Sequence, residues 1–379
     1  MTLLLTIVAF LVMVCVLVAA HEYGHFLFAR MFKMDVEEFA IGFGKGKWTW
    51  MRRNGTDFTL RPIPLGGFVR TKGMVPEEDG SEIKVEGGFY SKPPWQRWLM
   101  LFAGPLFSIL FGVILLVGLY STVGRMQPVN RATIGVVVKD GAADKAGIKV
   151  GDKILSIDGQ PTVTFFDILS KVREKPEIPI QIVYEREGKR ATVTVTPKKD
   201  PSPTPVFSSD LELTDTLKIQ GKLGILWDVE RIPLPLGAAI AEGLKAPVQT
   251  LTSLAGLITQ PSKAKEEVGG PIRIASITND AVQQGFSTVL FLAAMLSISL
   301  GFMNLIPIPP FDGGQMVVAF VEMLRRGKRL SFRVQELVST VGFVVIVAMV
   351  VGIFYIDLTR KSGNEPTKAE PAATQDTKK

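Results

Sequence analysis

The chain has 379 residues, 47% of them hydrophobic, and a mean hydropathy of +0.27, a balance that points to a membrane protein carrying a soluble part. Its net charge of +7 is modest for that length and spread along the chain, so it gives no ground for expecting a nucleic-acid partner. One cysteine, Cys15, excludes an intramolecular disulfide and leaves an apolar core or a metal to hold the soluble part.

From residue 3 to residue 20 the only ionisable side chain is the Cys15 thiol, and the run is long enough to cross a hydrocarbon core of about 30 Å. It leads directly into His21-Glu22-Tyr23-Gly24-His25, which contains both histidines of the chain. On a helix, positions i and i+4 share a face, so both imidazoles can reach one ion while Glu22 meets its water. The pattern outlines a hydrolytic zinc site. Two satisfied polar side chains are the plainer reading, but three ionisable groups continuing a membrane span are costly without a function. Val18-Ala19-Ala20 resembles a signal-peptide cleavage site, yet the first Lys or Arg is Arg30, so the positive n-region is missing.

Residues 57–70 combine alternation with β-branched content and predict extended chain, which Pro62 and Pro64 confine to a sheet edge or an irregular strand. An edge offers unpaired backbone groups that can hold a substrate in extended form, which makes Phe58, Leu60 and Gly67 candidate substrate-binding residues. A second apolar run covers 98–122. Residues 128–198 then predict short strands and two helices, with an Asp158-Gly159 turn and another at Glu187-Gly188-Lys189. The order of these elements, with Ala143-x-x-Ala146-Gly147-Ile148-x-x-Gly151-Asp152, resembles a bacterial PDZ domain. That resemblance implies β-augmentation of a peptide in a groove, with Ile134 and Gly135 near its entrance and residues 165–172 as its helical wall.

Residues 198–209 form a Pro/Ser-containing linker, and 236–258 an amphipathic segment interrupted by Pro247, expected to lie as helices along the outer membrane surface. The third apolar run, 286–306, ends in Asn304 beside Pro307, Pro309 and Pro310, which should break the helix. A fourth covers 338–356, and residues 361–379 are a polar tail expected to be disordered. Arg325, Arg326, Lys328 and Arg329 occupy the short loop between the last two runs, and Arg30, Lys33, Lys45 and Lys47 follow the first; both loops are therefore expected on the cytoplasmic side and residues 128–198 on the other. Catalytic zinc commonly takes three protein ligands, and no further histidine exists. Asp312 is the better candidate for the third. It follows the proline-broken span on the same membrane side and can meet the histidines if the first and third spans pack together, although Asp-Gly-Gly taken alone reads as a turn.

With His21 to His25, Gly42-Phe43-Gly44, Pro64-Leu65-Gly66-Gly67, Ala103-Gly104-Pro105, Gly270-Pro271-Ile272 and the stretch from Asn304 to Gly314, the chain resembles the site-2 protease family of intramembrane zinc metalloproteases, in the branch of the bacterial regulator of sigma-E protease with a single PDZ domain. The resemblance implies a polytopic α-helical membrane protein with four transmembrane helices, a membrane-associated β-region and one extracytoplasmic PDZ domain (α+β). Its expected parts are 1–30, the first span with the motif; 31–97, the cytoplasmic-side loop with the β-structure; 98–122, the second span; 128–198, the PDZ domain; 199–285, linker and surface helices; 286–306, the third span; 307–337, the third-ligand loop and basic segment; 338–356, the fourth span; and 361–379, the tail. It also implies one Zn2+ on His21, His25 and Asp312, with Glu22 as general base and Asn304 touching substrate. The implied partners are the lipid bilayer of the bacterial cytoplasmic membrane and single-span proteins such as anti-sigma factors or remnant signal peptides, cut after a first protease. Gln315 and the Ile356-Asp357 pair depart from the family pattern without removing a catalytic group. A catalytically silent PDZ membrane scaffold is the alternative; retention of Glu22 argues against it.

Overall fold

The computed structural model describes residues 2–75, 81–199, 204–207, 213–218, 220–259 and 271–359. The expected tail, residues 200–203 and 208–209 of the expected linker, and Gly270 of the Gly-Pro-Ile motif lie outside them. In chain order the helices are α1 (Thr2–Met31), α2 (Pro94–Thr122), α3 (Ala142–Lys145), α4 (Phe165–Arg173), α5 (Leu236–Thr259), α6 (Pro271–Gln284), α7 (Phe286–Asn304), α8 (Asp312–Leu324) and α9 (Phe332–Thr359). The chain folds as two compact units, one built from Met1–Val123 together with Pro233–Arg360, the other from Gly124–Ile232.

Among the described residues of the first unit, four helical segments are long and apolar enough to cross a membrane: Leu4–Met31, Pro94–Thr122, Phe286–Asn304 and Phe332–Tyr355. Their outward faces are apolar, as Leu4, Leu5, Val12 and Val16 of α1 show, whereas charged and polar groups such as Arg97, Ser108, Ser297 and Glu322 are buried. This inversion is expected where the surrounding medium is hydrocarbon and helices associate by close packing and hydrogen bonds. α2 is the central helix and packs against α1, α5, α7 and α8. Gly24 of α1 lies against the Ala103 carbonyl and Gly104 of α2 lies against the His25 ring, so a methyl group at either would collide with the facing helix. α5 runs unbroken through Pro247, where an interrupted segment was expected, with Thr250 Oγ1 donating to the Ala246 carbonyl in that turn. Neighbouring helices and hydroxyl side chains are what allow a proline inside such a helix.

Between α1 and α2 the chain makes a four-stranded sheet of β1 (Val36–Phe43), β2 (Trp48–Arg53), β3 (Thr56–Leu60) and β4 (Ile63–Thr71), in the order β2-β3-β1-β4. β4 pairs antiparallel with β1 and forms an edge. β3 does not: Leu60 stands between Ile41 of β1 and Trp48 of β2. The prolines explain the division, since Pro62 ends β3 and Pro64 falls on the edge strand, where a missing donor is tolerated. Glu38 of β1 is buried and accepts from Thr59, Arg61 and Arg70. Burial pushes its carboxyl up, but those hydrogen bonds and the two guanidinium charges outweigh it and hold the group below its ordinary range.

The second unit has a sheet of β7 (Lys153–Ile157), β8 (Gln160–Pro161), β9 (Ile180–Arg186) and β10 (Lys189–Val195), after the shorter β5 (Arg125–Pro128) and β6 (Ile134–Val137). The two-residue loops Asp158-Gly159 and Glu187-Gly188 both have positive φ at each position, the geometry that closes a tight hairpin. The core is aliphatic, with Ile134, Ile154, Ile157, Ile168, Ile180 and Ile182 almost fully buried. Thr164 caps α4 and exchanges hydrogen bonds with Asp167 in a capping box.

Candidate metal centre

The motif occupies the last turns of α1, where its i,i+4 spacing puts His21 and His25 on one side. Each ring is fixed from behind by α2. His21 Nδ1 is 2.9 Å from Ser108 Oγ, and His25 Nδ1 is 2.9 Å from the Met100 carbonyl oxygen, to which it donates. Ser108 is itself held, since its carbonyl accepts from Ser297 Oγ of α7 at 2.7 Å. Both Nε2 atoms are left to face the same point. Asp312, the first residue of α8, completes the group: His21 Nε2 to Asp312 Oδ2 is 3.1 Å, His25 Nε2 to the same oxygen 3.4 Å, and Nε2 to Nε2 3.3 Å.

These three edges test whether a metal fits. Donor atoms about 2.0–2.1 Å from a tetrahedral zinc stand about 3.3 Å from one another. The observed spacings match, the donor set is the His and carboxylate chemistry zinc prefers, and the outer hydrogen bonds that such histidines need are present. Glu22, next to His21 and 8% exposed, borders the same cavity of about 540 Å³.

Asn304, at the end of α7, lines that cavity, as does Gly67 of the edge strand β4. A Cβ on Gly67 would meet the Ala40 carbonyl, Val18 and Glu22, so only glycine lets β4 lie this close to α1. Phe58 and Leu60 are not brought to the site. β3 is paired on both sides, and the Phe58 ring packs between Phe26, Phe39 and Trp50. Ile134 and Gly135 line no entrance either. Ile134 is a core residue 1% exposed, and a Cβ on Gly135 would strike the Trp227 carbonyl. The strand beside α4 is Ile225–Trp227, whose Trp227 ring lies 5.8 and 6.2 Å from Phe165 and Phe166.

Sequence reasoning missed Ser108 and the helix that begins at Asp312. Asp312-Gly313-Gly314 opens a helix, and its two glycines let that first turn lie against residues 305–309, where a side chain at either would collide. The apolar residues Met316, Val317, Ala319 and Phe320 were the available signal for α8.

Residues 9–349 match the model of a protein family described as Peptidase family M50. The chain is 33% identical to a protein of Rhizobium meliloti named for a zinc metalloprotease, over 93% of this chain and 96% of that one. It is 29% identical to the Enterococcus faecalis protein named for the protease Eep, over 94% and 99%. Among solved structures, a PDZ domain of an SdrC-like protein from Listeria monocytogenes aligns with 24% of this chain and 90% of its own, at 14% identity and a TM-score of 0.17.

Proposed function

We propose, from the premise that the chain belongs to Peptidase family M50 and is a zinc metalloprotease, that it hydrolyses a peptide bond inside the membrane-spanning segment of single-span proteins. The observation that carries this reading is the approach of Asp312, at 3.1–3.4 Å, to His21 and His25, which sit on a helix otherwise apolar enough to cross a bilayer. His21, His25 and Asp312 would hold one zinc ion, which supplies the Lewis acidity that polarises a peptide carbonyl and makes water nucleophilic near neutral pH. Glu22 takes the proton of the attacking water and returns it to the leaving amine as the C–N bond breaks. Ser108 and the Met100 carbonyl keep both Nε2 atoms turned toward the point they share with Asp312.

A helical substrate has its carbonyls bonded internally and must unwind to be cut. The edge of β4 at Gly66 to Val69, on the cavity wall, can replace the lost bonds, and Asn304 can donate to the opened chain from the other side. Loop charges support a cytoplasmic-side site in the bacterial inner membrane, with residues 128–198 as an extracytoplasmic PDZ domain that admits substrates already trimmed by another protease. Anti-sigma factors and remnant signal peptides have that form.

The test is coexpression with a doubly tagged single-span reporter, comparing wild type with Glu22→Gln. A truncated product that falls by about 10²–10⁴-fold in the variant, with zinc content retained, is expected. Equal cleavage, or a cut outside the apolar segment, would overturn the reading.

A further inference from the structure

We propose that the buried pair Arg97–Glu322 is a positioning device for the metal centre, setting the register of α8 on α2 so that Asp312 meets His21 and His25. The inference rests on the metal-centre reading above. Arg97 is 4% exposed and Glu322 fully buried, and their Nη2 and Oε2 atoms are 2.6 Å apart. The second carboxylate oxygen accepts from the Leu330 backbone N–H at 3.1 Å. From there the network continues: Gln335 of α9 donates to the Leu330 carbonyl and accepts from the Tyr90 hydroxyl, while the Arg97 guanidinium lies 5.0 Å from the centre of the Tyr90 ring. One carboxylate thus ties α8 to α2 directly and to α9 through the connecting loop.

The spacing along the two helices links this knot to the metal ligands. Glu322 lies ten residues after Asp312, about 15 Å along α8, and Ser108 lies eleven after Arg97, about 16 Å along α2. Since Glu322 meets Arg97 while Asp312 meets His21, the ring held by Ser108, the helices run antiparallel with matched distances between two fixed points. Between those points the buried residues of α8 are Gly313, Gly314, Met316 and Ala319, a small and apolar seam with little to prevent sliding. A slip of one helical turn, about 5.4 Å, would carry Asp312 out of reach of both imidazoles. A buried ion pair adds little net stability over an apolar replacement, whereas fixing register is its best-attested use.

The experiment uses the full chain in detergent. Arg97→Met combined with Glu322→Met removes both charges without leaving one buried alone, and Glu322→Asp keeps the charge on a side chain one methylene shorter. Zinc affinity is read by chelator competition, ligand geometry by the cobalt(II) absorption spectrum, and folding by thermal unfolding of the metal-free protein. Expected are zinc affinity about 10–100-fold weaker and an altered cobalt spectrum in the double variant, with metal-free unfolding near wild type. Glu322→Asp is expected to alter the cobalt spectrum as well, and Arg97→Lys, which retains the pair, to recover most of the affinity. A folded double variant with wild-type affinity and spectrum would overturn the proposal; if it does not fold, an unchanged spectrum in Glu322→Asp does so. Metal binding that survives Asp312→Ala in an otherwise wild-type chain would instead overturn the metal-centre reading.

Discussion

The two units solve the burial problem in opposite ways. In Gly124–Ile232 the interior is mainly aliphatic, and the one fully buried carboxylate among the described residues, Asp152, is paired with Arg186 at 2.7 Å. In the other unit aliphatic side chains also cover the outside, and histidine, glutamate, serine and arginine share the interior with residues such as Leu116 and Ile298. Where water surrounds the chain, apolar burial supplies the stability and polar groups finish turns and caps. Where lipid surrounds it, apolar burial distinguishes inside from outside poorly, so close approach and polar networks set the geometry. A catalytic group placed among such networks is held rigidly at little extra cost, because its neighbours must be hydrogen-bonded in any case.

This contrast can be broken at its strongest point by Gly104→Ala. The added methyl would overlap His25 Nε2, and a loss of zinc affinity of about 100-fold is expected, with proteolysis lost alongside it. Elemental analysis of the purified variant checks it; full zinc occupancy would show that the helix contact is not part of the site. A core truncation in the other unit should act on stability alone. Ile182→Ala, in the aliphatic core, should destabilise that unit by about 2–5 kcal/mol, measured as faster amide exchange across β7 and β9 in the full chain. Hydrolysis of a short peptide by the first unit should be unchanged, and parallel loss of both would refute the separation.

The smallest effect sharpens the comparison. Thr164→Ala removes half of the capping box of α4 and should cost about 1 kcal/mol. Hydrogen bonding from the Thr164 and then the Val163 backbone holds the Asp167 carboxyl below its ordinary value, against a smaller push upward from burial. The stability it contributes is therefore present above the unfolded value of about 3.9 and lost as pH falls through the lower, folded one. Thermal unfolding between neutral pH and pH 3 should show that decline in wild type and a weaker one in Asp167→Asn.

The sequence by itself determined what depends on local periodicity. Spacing of i and i+4 put both histidines on one side of α1, apolar runs marked the four candidate membrane spans, and Asp158-Gly159 closed a hairpin because those residues accept positive φ. Tertiary structure decided which groups meet across the chain. Asp312 reaches His21 over 291 positions, and Ser108 does so over 87. Likewise, β4 became the edge while β3, carrying Phe58 and Leu60, was enclosed between β1 and β2. The reason is physical: a residue's face follows from its neighbours in sequence, but its partner follows from which helices and strands pack, and that is settled by contacts no short window contains.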